Sequence, residues 1–219
     1  MCRRLEAGYV LNSFICSQKS PPVIIVIEGI DQAGKYTQSR MLHNALADQG
    51  RRVALFRFPD YGTPSGSRIK DMLGDDRSKP EDLHTLLAEN RLEKLDVIND
   101  HNKSGTIIVI DRYTPSNIAY GLANGVSRKT LDDLDKSMPD PDLVILLDIS
   151  AETSYDRKGT DRDKFEKNLK FVGRVRDVYK RLAKEAGWPV VSADRKPDDI
   201  HKEILRIVEP RILELKRSS

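Results

Sequence analysis

The sequence predicts an α/β fold with a mainly parallel sheet, and three observations carry that prediction. The first is a set of short apolar runs rich in β-branched residues. VIIVI (23–27) opens the set, followed by VALFRF (53–58), TIIVID (106–111), LVILLDI (143–149) and the shorter PVVSA (189–193). A continuous run of this kind is how a strand buried on both faces reads. The second is that helical patterns separate the runs. Strands alternating with helices give a parallel sheet, here of five strands, flanked by helices in three layers. The third is the position of the chemistry. Ligands of such sheets bind at the carboxyl ends of the strands. Glu28-Gly29 follows the first run, Pro59-Asp60-Tyr61 the second and Asp111-Arg112-Tyr113 the third.

Each element has its own justification. Residues 1–22 precede the first strand and read as an N-terminal extension to a domain spanning 23–219. Two arginines and one acid among them are compatible with a transit peptide. Their apolar residues keep no clean amphipathic period, so a plain extension and a cytoplasmic location are expected. After the first strand, Met41, Leu42, Ala45 and Leu46 share one helical face, and Gly50 ends that helix. After the second, Leu83, Leu86, Leu87, Asn90, Lys94 and Val97 trace one long face, with Arg91 beside it. After the third, Asn117 and Tyr120 stand three apart on a helix and share a side. Phe165, Leu169, Val172, Val175 and Leu182 mark a further helix. Ile200, Ile204, Ile207 and Ile212 mark the last, with a bend expected near Pro210.

Composition narrows the function. Charged residues make up 32% of the chain and balance to +3. No polybasic block dominates, so charge gives no reason to expect nucleic-acid or membrane binding, while anionic small molecules fit. The two cysteines, Cys2 and Cys16, show no C-x-x-C pattern and support neither a zinc site nor a disulfide scaffold. No apolar run approaches the ~20 residues of a membrane span. Trp188 and the four histidines (His43, His84, His101, His201) show no ligand spacing and read as structural.

The stretch IEGIDQAGKYTQS (27–39) carries the chemistry. Gly29 and Gly34-Lys35 stand at the G-x-x-x-x-G-K spacing, between a buried strand and a helix. Such a turn aims backbone N–H groups into one concavity, and the helix N-terminus adds partial positive charge. Lys35 supplies a mobile full charge for the β- and γ-phosphates of a nucleoside triphosphate. Gln32, Ala33, Gly34, Tyr36 and Thr37 complete the cradle. The slot after the lysine ordinarily holds a Ser or Thr whose hydroxyl meets Mg2+. Here it holds Tyr36. Three readings stay open: Thr37 takes hydroxyl duty toward phosphate, carboxylates and water hold the metal instead, or the site is weakened.

Together these motifs resemble the thymidylate kinase family of P-loop nucleoside monophosphate kinases, from about Val23 to the C-terminus. EGIDQAGKYTQ resembles the family loop E-G-x-D-x-x-G-K-x-T. RFPDYG (57–62) resembles its F-P-x-Y-G stretch, and ENRLE (89–93) its arginine-bearing long helix. DRYTPSNIAY (111–120) matches the D-R-Y-x-x-S-N-x-A-Y signature, PDLVILLDI (141–149) resembles the fourth strand, and DRKGTDRDKFE (156–166) resembles a short lid. The resemblance implies ATP as donor, thymidine monophosphate (dTMP) as acceptor, Mg2+ as cofactor and a homodimer.

It also implies roles. Asp31 would face the sugar 3′-hydroxyl, directly or through metal-bound water; from the residues alone it is also a loop-bracing Asx turn. Phe58 would stack on thymine and Tyr61 reach the acceptor phosphate. Arg91 would read the thymine edge, a task that suits a planar guanidinium. Periodicity alone reads Arg91 as a solvated residue on a charged face. Arg112 would bridge the acceptor and transferred phosphates, with Asp111 near the metal. Asn117 would read the base edge and Tyr120 would close the 2′ side of the sugar, with Ser116 a weaker candidate. Gln32 is neutral where one subgroup of the family carries a catalytic arginine, so the lid residues Arg157 and Arg162, with Lys158, would supply it. Phe165 and Glu166 would contact the sugar and its metal-water shell.

The expected reaction is in-line transfer of the γ-phosphoryl group of ATP to dTMP, without a covalent intermediate. Lys35, Arg112 and a lid arginine would neutralise the migrating charge. Two alternatives accompany it: a kinase for another deoxynucleoside or deoxynucleotide, and a P-loop protein whose activity Tyr36 has weakened.

Overall fold

A computed structural model of the chain describes residues 23–73, 79–158 and 165–217, without the side chains of residues 158, 165–168 and 216. The N-terminal extension and Arg162 of the expected lid lie outside the described residues. The elements run β1 (Val23–Glu28), α1 (Lys35–Asp48), β2 (Val53–Arg57), α2 (Pro64–Leu73), α3 (Pro80–Leu92), α4 (Leu95–Lys103), β3 (Ile107–Asp111), α5 (Thr114–Ala123), α6 (Arg128–Asp135), β4 (Leu143–Asp148), α7 (Ala151–Lys158), α8 (Phe165–Ala186), β5 (Val190–Ser192) and α9 (Pro197–Arg217). The strands form one parallel sheet in the order β2-β3-β1-β4-β5.

Alternation along β1 builds the three layers. Val23, Ile25 and Ile27 pack with Leu42 and Leu46 of α1 and with Ile204 and Val208 of α9. Ile24 and Val26 point to the other face and join a cluster with Ile98 of α4, Ile108, Ile110 and Tyr113. A period of two forces this division. Burying a branched aliphatic side chain contributes about 1.5–3 kcal/mol, so β1 and β3, buried along their whole length, anchor the sheet. The turns after them inherit that rigidity.

Two expectations need correction. The runs at 53–58 and 189–193 read as strands buried on both faces, yet β2 and β5 are the sheet edges. Leu55 and Val190 are exposed accordingly. The long face at 83–97 is not one helix either. It breaks between α3 and α4, where Glu93 is anchored to the start of α2 and Lys94 to the turn after β2. Glu93 Oε1 accepts from the Ser65 amide at 3.2 Å, and Lys94 Nζ lies 2.9 Å from Asp60 Oδ2. The break shifts the helical phase by one residue, so Ile98 turns inward and Val97 stays exposed.

Candidate active site

The turn between β1 and α1 has the backbone its glycines predict. Gly29 has φ 146° and a Cβ there would lie 2.4 Å from the Leu147 carbonyl oxygen, so only glycine fits. Gly34 caps α1 with φ 89°. Gln32 has φ 60° without being glycine, a conformation that costs of order 1 kcal/mol or more and collects at functional sites. Four successive carbonyls of this loop are held. Arg112 Nη1 lies 3.4 Å from Gly29 O, Lys35 Nζ donates to Ile30 O at 2.7 Å, Ser154 Oγ to Asp31 O at 2.8 Å and Arg157 Nη1 to Gln32 O at 3.1 Å. With the carbonyls turned to these donors, the first-turn amides of α1 face the opposite way. They have no intrahelical acceptor, which makes them an anion site.

Lys35 and Arg112 are cationic side chains of that site. Burial, reinforced by the Arg112 guanidinium, lowers the Lys35 pKa to about 7 against the pull of Asp31, Asp111 and Glu28. Arg112 has φ 65°, which turns its side chain back across the end of β1. It pairs with Asp31, and its Nη2 donates to the Tyr120 hydroxyl at 3.3 Å. Burial opposes its charge, but Tyr120, Asp31, Tyr179 and Glu28 outweigh that and hold it firmly protonated.

Two buried carboxylates end the central strands. Glu28 Oε1 accepts from the amides of Tyr113 and Ser116 at 2.8 and 3.1 Å, while Oε2 accepts from Ser116 Oγ and the Tyr179 hydroxyl at 2.7 and 2.8 Å. An acid at the N-terminus of α5 is where a helix favours negative charge. Burial still raises the Glu28 pKa against those bonds. Glu28 anchors the start of α5 and favours the charge of Arg112, a role no sequence motif assigned to it. A charge at the end of a buried strand is costly unless it is used or paired, and that holds for Glu28 as it does for Asp111. Asp111 Oδ1 is buried and meets no partner among the described residues, and Oδ2 lies 3.4 Å from Arg57 Nε. Burial raises its pKa as well.

Beyond Arg112 lies a second chamber of about 340 Å³, joined to the loop chamber of about 400 Å³. Asp31, Phe58, Tyr61 and Arg112 line both. Phe58 is buried and packs at 6.2 Å on Tyr113, so core packing and a chamber wall are one role here. Tyr61 is exposed at the mouth. Tyr120 donates its hydroxyl to Asp31 Oδ1 at 3.3 Å, which joins the two side chains implied on the sugar.

Arg91 is not the solvated residue that periodicity suggests. It is 3% exposed, and its Nε and Nη2 reach the two carboxylate oxygens of Asp135 at 2.8 and 2.9 Å. Asn117 donates from Nδ2 to the same carboxylate at 3.0 Å and meets His84 Nδ1 through Oδ1 at 2.7 Å. Arg91, Asn117 and His84 therefore form one hydrogen-bonded wall with Asp135 behind it. His84 read as structural, yet it lines the chamber. Neither it nor Asp135 stood in a motif that pointed here.

Of the lid, Arg157 ends α7 and braces the loop rather than covering it. Besides Gln32, it holds Ala193 O at 3.0 Å and Asp194 Oδ1 at 3.4 Å. The side chains of Lys158, Phe165 and Glu166 lie outside the described residues. Thr37 is exposed beside Tyr36 at the loop chamber. The described residues hold no cluster of three His, Cys, Asp or Glu side chains. Mg2+ does not need one, because it keeps waters and takes phosphate oxygens. Asp111, with its unpartnered oxygen, and the half-exposed Asp31 fit such an ion.

Comparison with known proteins points the same way. A family model described as thymidylate kinase matches residues 27–204. A thymidylate kinase of Arabidopsis thaliana is 32% identical over 200 residues, covering 90% of this chain and 75% of that protein. The Homo sapiens thymidylate kinase is 32% identical over 194 residues, covering 86% and 91%. Among solved structures, a thymidylate kinase from Candida albicans, described with broad substrate specificity, superposes with a TM-score of 0.70 at 27% identity and covers 87% of this chain and 92% of that one.

Proposed function

The chain belongs to the thymidylate kinase family, and from its site we infer that it transfers the γ-phosphoryl group of ATP to dTMP, giving dTDP and ADP. One observation carries this reading: the loop chamber and the chamber between α3 and α5 share the wall of Asp31, Phe58, Tyr61 and Arg112. A triphosphate on the loop and a nucleotide against Phe58 bring their phosphates together at Arg112. An acceptor phosphate oxygen attacks the γ-phosphorus in line while the bond to the β-bridging oxygen breaks. The transition state is loose, with charge spread over the equatorial oxygens, so positioned cations do most of the work. Lys35 leaves Ile30 O for a phosphate oxygen, and Arg112 spans donor and acceptor. Tyr120 and Asp31 close the sugar side, which favours a deoxyribose.

Mg2+ is the cofactor this site suits, held by Asp111 and Asp31, with Glu166 a further ligand implied by the family. When bound it neutralises charge across the donor phosphates. A homodimer and a cytoplasmic location are what the family resemblance supports. Among the described residues no helix is long and apolar enough to cross a membrane.

A coupled ADP-release assay with dTMP, dUMP, thymidine and deoxyuridine, on the wild type and Lys35→Ala, tests the reading. ADP release that needs dTMP and is lost in Lys35→Ala is expected. Release that ignores the acceptor or survives the substitution overturns it. Release with thymidine but not dTMP would turn the reading to a nucleoside kinase.

A further inference from the structure

This inference rests on the phosphate-site reading above and concerns Tyr36 and Arg57. The Tyr36 hydroxyl meets Arg40 Nη1 at 3.4 Å, one turn further along α1, so it leads away from the loop. Two guanidinium groups lie over the ring, with Arg57 Cζ 4.8 Å and Arg40 Cζ 5.5 Å from its centroid. Arg57 ends β2 and sits in register with Asp111 of β3, which brings its Nε to 3.4 Å from Asp111 Oδ2. The Arg57 side chain is 61% exposed, and an ion pair that open holds a long side chain only weakly. The aromatic face supplies a second hold. Tyr36, Arg57 and Asp111 line the loop chamber with Lys35 and Arg112.

We propose that Tyr36 works as a ring and not as a hydroxyl: it is the platform that holds Arg57 at the loop chamber, where Arg57 binds a substrate phosphate oxygen. A guanidinium has donors on three nitrogens and a stacking face, so it can keep the ring while exchanging Asp111 for phosphate. The exchange frees Asp111, whose other oxygen has no partner among the described residues. Tyr36 thereby gives the site a cation in place of the missing hydroxyl. The oxyanion belongs to the donor tail or to the acceptor, and the arms of the experiment separate the two.

Binding of a non-hydrolysable ATP analogue with Mg2+, and separately of dTMP, is measured by calorimetry on the wild type, Arg57→Gln, Tyr36→Ser, Tyr36→Phe and the double variant. Thermal unfolding of each variant checks that it is folded. Arg57→Gln is expected to weaken one ligand roughly tenfold, the size of a hydrogen bond to a charged group. Tyr36→Ser restores a short hydroxyl but removes the ring, and weakens the same ligand roughly threefold or more. Tyr36→Phe keeps most of the affinity, and the double variant binds no more weakly than Arg57→Gln alone. Arg57→Gln binding both ligands like the wild type overturns the proposal. So does Tyr36→Phe losing as much as Tyr36→Ser, or Tyr36→Ser binding more tightly than the wild type. A wild type that binds neither ligand overturns the phosphate-site reading itself, and this inference with it.

Discussion

At the loop end of the crevice, cations and carboxylates face one another around an open chamber. At the base end, the same kinds of group are already locked together. Lys35 rests on a backbone carbonyl, Arg112 on Asp31 and Arg57 on Asp111. Each of these partners can be replaced by a phosphate oxygen. At the base end, Arg91, Asp135, Asn117 and His84 are all buried and bonded in one chain. The difference separates two ways of spending charge. The loop end keeps interactions that substrate exchanges, which serves a reaction that moves charge. The base end keeps interactions that, on the proposed reading, substrate reads but does not rearrange, which would serve recognition by shape.

The sharpest way to break that contrast is to remove one carboxylate from the base end and one cation from the loop end. Asp135→Ala leaves Arg91 buried and unpaired, a change that costs about 3–5 kcal/mol. For a chain of this size that lowers Tm by roughly 6–20 °C. Lys35→Met removes a charge that burial already disfavours, so its Tm should move far less while turnover falls by about two to three orders of magnitude, as for loss of a key charge-stabilising donor. Thermal unfolding and turnover of both variants check this. Equal losses of Tm would show that the two ends are not built differently.

The loop end was far more legible in the sequence than the base end, and the reason is chain locality. Gly29, Asp31, Gly34 and Lys35 lie within one turn, and that turn's geometry follows from glycine spacing and a flanking strand and helix. Arg112 and Asp111 follow another strand and were equally exposed to a local argument. The base wall takes Arg91 and His84 from α3, Asn117 from α5 and Asp135 from α6. Only the packing of three helices brings these residues together, and periodicity cannot pair helices. Periodicity alone therefore reads Arg91 as solvated, and only the motif resemblance gives it a place at the base, because its partner Asp135 lies 44 residues away. The break at Glu93-Lys94 escaped for the same reason: it is marked by contacts to α2 and the turn before it and not by a local glycine or proline. Edge strands escaped because an apolar run does not state its place in a sheet. Arg57 was invisible as a site residue because its partner is fixed by sheet register with β3.

A second prediction uses protons to sharpen the comparison. Burial and the Arg112 guanidinium hold the Lys35 pKa at about 7, against an ordinary value of 10.5. Between those values the unfolded chain binds more protons than the folded one, so stability rises with pH across that window. The cost of the buried charge is fully present below about pH 7. Phosphate oxygens beside Lys35 favour its charged form. Binding of an ATP analogue at pH 8 should therefore take up as much as about one proton. Calorimetry in two buffers of different ionisation enthalpy measures it, and Lys35→Met should abolish the uptake. Thymidine, which on the proposed reading would occupy only the base end, should bind without it.

The smallest effect is expected at His84, and it tests whether the base wall is one connected chain. The Asp135 carboxylate can only accept, so Asn117 must turn Nδ2 toward it and Oδ1 toward His84. His84 then has to carry its proton on Nδ1, leaving Nε2 as the acceptor 3.5 Å from Asn124 Nδ2. Burial lowers the His84 pKa, with the nearby Arg91 charge adding to it, so the ring stays neutral at pH 7. Its imidazole nitrogen resonances should report the Nδ1–H tautomer. His84→Phe keeps a ring but removes the donor to Asn117, at a cost of about 1 kcal/mol. If the wall recognises the base and does not move charge, as proposed, the loss should raise KM for dTMP a few-fold and leave kcat nearly unchanged. An Nε2–H tautomer would mean that Asp135 does not fix the Asn117 amide. A fall in kcat at constant KM would place His84 among the groups that act on the migrating phosphoryl, and the division between the two ends would fail at this residue.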